Sequence, residues 1–251
     1  MTTQLKDELG NFQGLYAPRE AAQYLTATLR RDTTNFPHDP SSLKAFERVK
    51  SRQLIHWVRV GLTLPGLAAM PGDQLVIAFE DLISMRVITI LRVLGVKWPK
   101  IHRAEIWLRE QNHHPRPFAV ETVWTETKDV FAELPFGLMA AASRQGQLAF
   151  VELLGNYLQP VSDMTFIRHD GYKVAATWRP HADVLIDPQV QFGEPCITET
   201  RLPTRMVWRM ANGGDTPEYL AQSFKLSEQQ ILHALEWEDR LRATETDSLS
   251  N

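Results

Sequence analysis

The sequence predicts a mainly α fold with small β elements, an α+β chain. Three observations predict it: five helix-length stretches with 3.6-residue apolar spacing, short alternating runs around turn signals, and a compact capped helical stretch at the C-terminal end. The 251 residues are 43% hydrophobic, enough for one large core or two to three small ones. A single cysteine excludes a disulfide framework. No stretch approaches the roughly 20 apolar residues of a membrane helix, and the start "MTTQLKDELG" has no apolar signal core. A cytoplasmic protein with no membrane association is expected.

Taken in order, residues 1–15 are polar. "APREAAQYL" reads as a helix with Pro18 in its first turn and Ala21, Ala22 and Leu25 on one face. "TTNFPHDPSS" is a loop by composition, and Ser41 or Ser42 can cap a helix through "LKAFERVKSRQLIHWVRVGL". Ser51 offers a second cap inside it, so two helices are an alternative. "TLPGLAAMPGDQLVIAF" carries two Pro-Gly signals and reads as a hairpin-like wing. Helices follow over "FEDLISMRVITILRVLG", stopped by Gly95, and "KWPKIHRAEIWLREQN", with Ile101, Ala104, Ile106 and Leu108 as its apolar positions.

From Phe118 the pattern changes. "FAVETVWTETKDVFAEL" alternates like a hairpin around Thr125 to Thr127, "RQGQLAFVELLGNYLQP" is helical, and "MTFIRHDGYKVAATW" reads as two strands around Asp170-Gly171. Pro180 is read as opening a new unit. Its helices are "PTRMVWRMAN" closed by Gly213-Gly214, "TPEYLAQSF" capped by Thr216, and "SEQQILHALEWEDRLRA", where Ser227 and Gln230 make a capping box. Turns of this length suit a helix-turn-helix module. The division predicted is 1–115, 116–180 and 181–244, with a disordered tail over 245–251.

Charge is unevenly spread. Residues 44–109 hold eleven basic and five acidic side chains, an excess of six in a chain of net charge −3. That is the footprint expected of a DNA-binding unit. Arg52, His56 and Arg59 share one face of a short capped helix, and Gln53 lies beside them. Arg and Gln can read guanine and adenine edges, while cations neutralise phosphates. With Arg19 and Lys50, these are the candidate DNA-binding residues.

The segment from "YAPREAAQYL" through "SRQLIHWVRVGL" to "VIAFEDLISMRVITILRVLGVKWPKIHRA" resembles the winged helix-turn-helix of MerR-like regulators, and more closely that of VapB-type antitoxins. The stretch from Thr26 to Lys50 is longer than the usual tight turn. "DPQVQFGEPCITETRLPTRMVWRMANGGDTPEYLAQSFKLSEQQILHALEW" resembles a small antitoxin family first catalogued as a domain of unknown function. Matching positions are Pro188, Gly193, Pro195, Ile197, Thr200, Arg201, Leu202, Pro203, Gly213, Glu218 and Leu220. Glu199 stands where that family prefers glycine.

The resemblance implies an antitoxin that neutralises a PIN-like ribonuclease toxin, binds operator DNA and represses its own operon as a homodimer. A strand from Phe192 to Ile197 could share a sheet edge between copies. Phe192, Ile197, Arg201, Arg205, Arg240 and Arg242 are the candidate dimerisation or toxin-binding residues, the last two able to enter a carboxylate-lined site. The outward face of the last helix, read as including His233, Glu236, Glu238 and Asp239, argues against DNA contact there. A rival is a MerR-like ligand-sensing regulator without a toxin, its pocket in the middle region; an interaction scaffold that never touches DNA is a third. No phosphate loop, nucleophile elbow or zinc motif is found, His113-His114 lacks ligand partners, and Cys196 reads as a small buried residue. No enzyme activity, metal or cofactor is expected.

Overall fold

A computed structural model describes residues 14–33, 48–59, 69–70, 74–93, 97–121, 163–169 and 171–246. The caps expected at Ser41 or Ser42, the hairpin around Thr125 to Thr127 and the helix ending at Pro160 lie outside them. Seven α-helices and small antiparallel sheets among the described residues make an α+β fold.

The chain enters through β1 (Leu15–Tyr16) and α1 (Pro18–Thr33), continues with α2 (Ser51–Arg59), and forms a hairpin from β2 (Ala69–Met70) and β3 (Gln74–Leu75). β4 (Ile77–Ala78) then pairs back antiparallel with β1, Tyr16 opposite Ile77. It runs straight into α3 (Phe79–Val93). α3 is apolar on nearly every side, as a central core helix must be. Leu82, Ile83, Val87, Ile88 and Leu91 are all buried. Around it pack α1, the start of α4 (Trp98–Asn112), a 3₁₀ turn (Pro117–Ala119) and the sheet. Ile106 in α4 faces out instead of in; Trp107 and Leu108 take the buried positions. His113, left-handed at φ 49°, ends α4.

The third sheet is formed by β5 (Met164–His169), β6 (Tyr172–His181), β7 (Val184–Ile186) and β8 (Cys196–Ile197), all antiparallel in that order. Gly171, at φ 89°, supplies the left-handed residue of the β5–β6 turn. Pro180 does not open a new unit. It lies within β6, where the register between Trp178 and His181 slips, so the missing N–H falls at an irregular point of the ladder. The sheet therefore crosses the boundary drawn at 180. One cluster joins Tyr24, Leu54, Trp57, Leu82, Phe118, Trp178 and Trp237.

A second, smaller core holds the C-terminal helices α5 (Thr204–Asn212), α6 (Pro217–Phe224) and α7 (Glu228–Thr246) around Ile197, Val207, Leu220, Ile231 and Ala234. Their boundaries follow local chemistry. Thr216 Oγ1 accepts from the N–H of Tyr219 at 3.3 Å, and Pro217 occupies the first turn. Ser227 and Gln230 satisfy each other's backbone N–H groups at 3.2 and 3.0 Å. Lys225, left-handed at φ 56°, makes the turn between α6 and α7. The first two residues of the expected tail are helical, since α7 reaches Thr246.

Candidate nucleic-acid and partner interfaces

α2 begins at Ser51, the second of the two expected caps, and residues 48–50 lead into it without helix; the stretch expected to form a helix before them lies outside the described residues. Thr26 Oγ1 accepts from the N–H of Val49 at 3.0 Å while donating to Ala22 O at 2.7 Å. That pins α1 to the entrance of α2 despite the long connection. Leu54 and Trp57 are buried, and Trp57 meets Trp98 edge to face at 5.0 Å. The opposite face is left to water: Lys50, Arg52 and His56 are exposed, as is Arg19 on α1. Arg59 is the last residue of α2. Gln53 has a structural task that the sequence reading did not give it. Its Oε1 accepts from the N–H of Lys50 at 2.7 Å, capping the helix start.

The positive excess over residues 44–109 is not all surface charge. Arg86 is buried in the main core, 2.7 Å from Asp163 and 5.0 Å over the Trp178 ring. Arg92 stacks over Trp98 at 5.3 Å, and Arg109 lies 3.7 Å from Glu105. Arg116 likewise serves structure: its Nε donates to Asp81 at 2.7 Å, tying the 3₁₀ turn to the start of α3. Burial pushes the Asp81 carboxyl above its ordinary value, with Arg116 opposing the shift. Sequence counting cannot tell a guanidinium in the core from one in solvent. Among the described residues, Lys50, Arg52 and Lys97 are the exposed cations left of the expected footprint.

At the C-terminal module the expected partner residues separate. Phe192 is 68% exposed, on a turn where Gln191, Phe192 and Gly193 are all left-handed. Arg201 and Arg240 are exposed, and Arg205 pairs with Glu194 at 2.8 Å. Ile197 is a correction: it is fully buried in the smaller core. No strand runs from Phe192 to Ile197. Phe192 belongs to a 3₁₀ turn, and β8 is paired on one side by β7 and on the other by Leu202 and Pro203, whose carbonyl and bridge close it. An edge-sharing dimer arm has no open edge there.

Arg242 is a second correction. Its guanidinium lies 3.5 Å over Trp208 and 3.6 Å from Glu238, so it holds α7 to α5. Glu238, expected to face outward, is buried and accepts from Thr204 Oγ1 at 2.7 Å. Its pKa is raised, chiefly by burial, with the Thr204 hydrogen bond and Arg242 opposing. The signal was available: Ile231, Ala234, Glu238 and Leu241 fall in one i, i+3, i+7 stripe. His233 hydrogen-bonds Asp183 at 2.7 Å and His181 meets Glu236 at 3.1 Å, joining α7 to the β6–β7 turn. Burial lowers the pKa of His181. Meanwhile Trp237 enters the main core beside Tyr24, 6.0 Å away. α7, the last helix of the C-terminal module, is thus engaged by its own chain. Exposed Met206, Tyr219 and Leu232 were not singled out by sequence.

Cys196 is buried, and its thiol is pushed up to about 12 by burial, Glu194 and Asp187. Glu199 is left-handed at φ 63°, the conformation that favours glycine.

Residues 184–237 match a family described as protein of unknown function (DUF433). The chain is similar in fold to the crystal structure of Rv2018 from Mycobacterium tuberculosis, at a TM-score of 0.64 and 19% identity. The match covers 88% of this chain and 96% of that one. No curated protein matches the sequence. Among the described residues, no helix is long and apolar enough to cross a membrane.

Proposed function

We propose that this chain is the antitoxin of a type II toxin-antitoxin pair, binding operator DNA to repress its own operon and neutralising a PIN-like ribonuclease. The observation that carries the DNA half is the face of α2. Arg52 and His56 point to water opposite buried Leu54 and Trp57, next to exposed Lys50 and before the β2–β3 hairpin. A cationic helix followed by a hairpin has the parts of a winged helix-turn-helix: one element for the major groove, one for the flanking backbone.

The toxin half rests on the family match over residues 184–237 and on the sequence resemblance. Phe192, Arg201, Arg205 and Arg240 remain its surface candidates, with a cationic and aromatic character that suits a carboxylate-bearing partner. A homodimer predicts an operator of two half-sites about 34–36 Å apart or a multiple of that.

Co-expression with the product of the adjacent gene tests the reading. A co-purifying complex that shifts DNA from upstream of the operon is the expected result. A chain that stays alone on sizing and gives a flat DNA titration at low salt would refute both halves.

A further inference from the structure

The outer face of α5 is cationic. Arg205 and Arg209 stand one turn apart, about 6 Å along the axis. Both are exposed, as is Arg201 just before the helix. Met206, 49% exposed, lies beside them on the same side. The turn that bears exposed Phe192 flanks the start of the helix: Gln191 Nε2 donates to Arg201 O at 3.1 Å, and Glu194 meets Arg205 at 2.8 Å. Among the described residues, Arg201 and Arg209 pair with no carboxylate. The stretch 200–214 holds these three arginines and no acidic side chain.

The inner face of α5 is committed to its own chain. Val207 is buried, Thr204 Oγ1 donates to Glu238, and Trp208 Nε1 donates to Asp239 at 2.9 Å. The helix is thus clamped to α7, and a rigid support lowers the ordering cost of binding on its outer side. The make-up of the patch separates two classes of partner. Arg, Met and aromatic side chains are those enriched at protein–protein interfaces. A phosphate backbone is held instead by a broad cationic field. The rest of the module opposes such a field, since residues 215–246 hold seven acidic and three basic side chains.

We propose that this face docks an acidic amphipathic helix of a partner protein. Carboxylates one turn apart on that helix pair with Arg205 and Arg209, and a third charge reaches Arg201. Its apolar stripe covers Phe192 and Met206. Arg205 keeps Glu194 at its Nε and offers the partner its remaining guanidinium donors. Charge complementarity sets the register, and the apolar contacts exclude water around the ion pairs. The proposal rests on the partner-binding half of the antitoxin reading and sharpens it. The contact is a docked helix on α5, with Met206 and Arg209 added and Arg240 of α7 left out.

Fluorescence anisotropy of the full chain with a labelled amphipathic helical peptide of Glu, Leu and Ala tests this. One control peptide carries Lys in place of Glu, and another carries Ser in place of Leu. The Glu/Leu peptide binds saturably, and each control binds at least about tenfold more weakly. Arg201→Glu/Arg209→Glu, at two exposed positions, shifts the preference to the Lys peptide, with the fold checked by circular dichroism. Met206→Ser changes no charge and weakens the Glu/Leu peptide about fivefold. No saturable binding of that peptide, equal binding of either control, an unchanged preference in the double variant, or unchanged binding in Met206→Ser each overturns the proposal. So does a loss of duplex DNA binding in the double variant, which would give the face to nucleic acid. The assay contains no toxin, so failure of the co-expression test bears on the antitoxin reading alone.

Discussion

Gly193→Ala should be among the most damaging small substitutions in the chain. Gly193 has φ 86°, a conformation that costs an alanine about 1–2 kcal/mol. A Cβ built there lands on the phenol oxygen of Tyr16 and 2.9 Å from its Cζ. Both partners are buried, so the strain cannot relax into solvent, and overpacking of this kind adds about 1–3 kcal/mol. The expected loss is about 2–5 kcal/mol in urea unfolding followed by tryptophan fluorescence. The structure also names the rescuing change. The Tyr16 hydroxyl is buried without a hydrogen-bond partner among the described residues, so Tyr16→Phe alone should be near neutral while removing the atom that collides. In Gly193→Ala/Tyr16→Phe, at least about 1 kcal/mol should return, the ring carbons keeping the rest of the clash. Effects that add to within about 0.5 kcal/mol would refute this close approach between β1 and the turn.

Glu199→Gly should raise stability by about 0.5–1 kcal/mol, because relief of the left-handed strain exceeds the added freedom of the unfolded chain; a decrease in denaturation midpoint contradicts it. Cys196, with its thiol near 12, should resist iodoacetamide in the native protein at mildly alkaline pH and react fully once unfolded. Rapid native labelling would contradict its burial.

Local chemistry was legible in the sequence. Thr216 with Pro217, Ser227 with Gln230, and the Gly171 turn each specify their structure within four residues, and the fold follows them. What escaped depends on partners far along the chain. Arg86 is in the core because Asp163 and Trp178 receive it, and no local pattern announces that pairing. Phe118 looked like a strand residue, but Pro117 opens a 3₁₀ turn there. Pro180 was read as punctuation because a proline removes a ladder donor, yet a register slip in β6 accommodates it. At the candidate DNA face, exposure of Arg52 and His56 opposite Trp57 was readable from helical spacing. Gln53 was not, since base-reading and helix-capping demand the same amide. At the partner surface, Phe192 was found, whereas Ile197 was assigned to an edge strand that the fold does not contain, and Arg242 to a partner although Trp208 and Glu238 already hold it.

The central claim, that α2 reads operator DNA, is tested most directly by the salt dependence of binding. Affinity for DNA upstream of the operon is measured over a range of salt for the wild type and for Arg52→Ala/Arg59→Ala. Each lost phosphate contact shallows the slope of log affinity against log salt by about 0.9. The account predicts weaker binding at every salt and a slope shallower by up to about two. Identical affinity and slope in the double variant would contradict it.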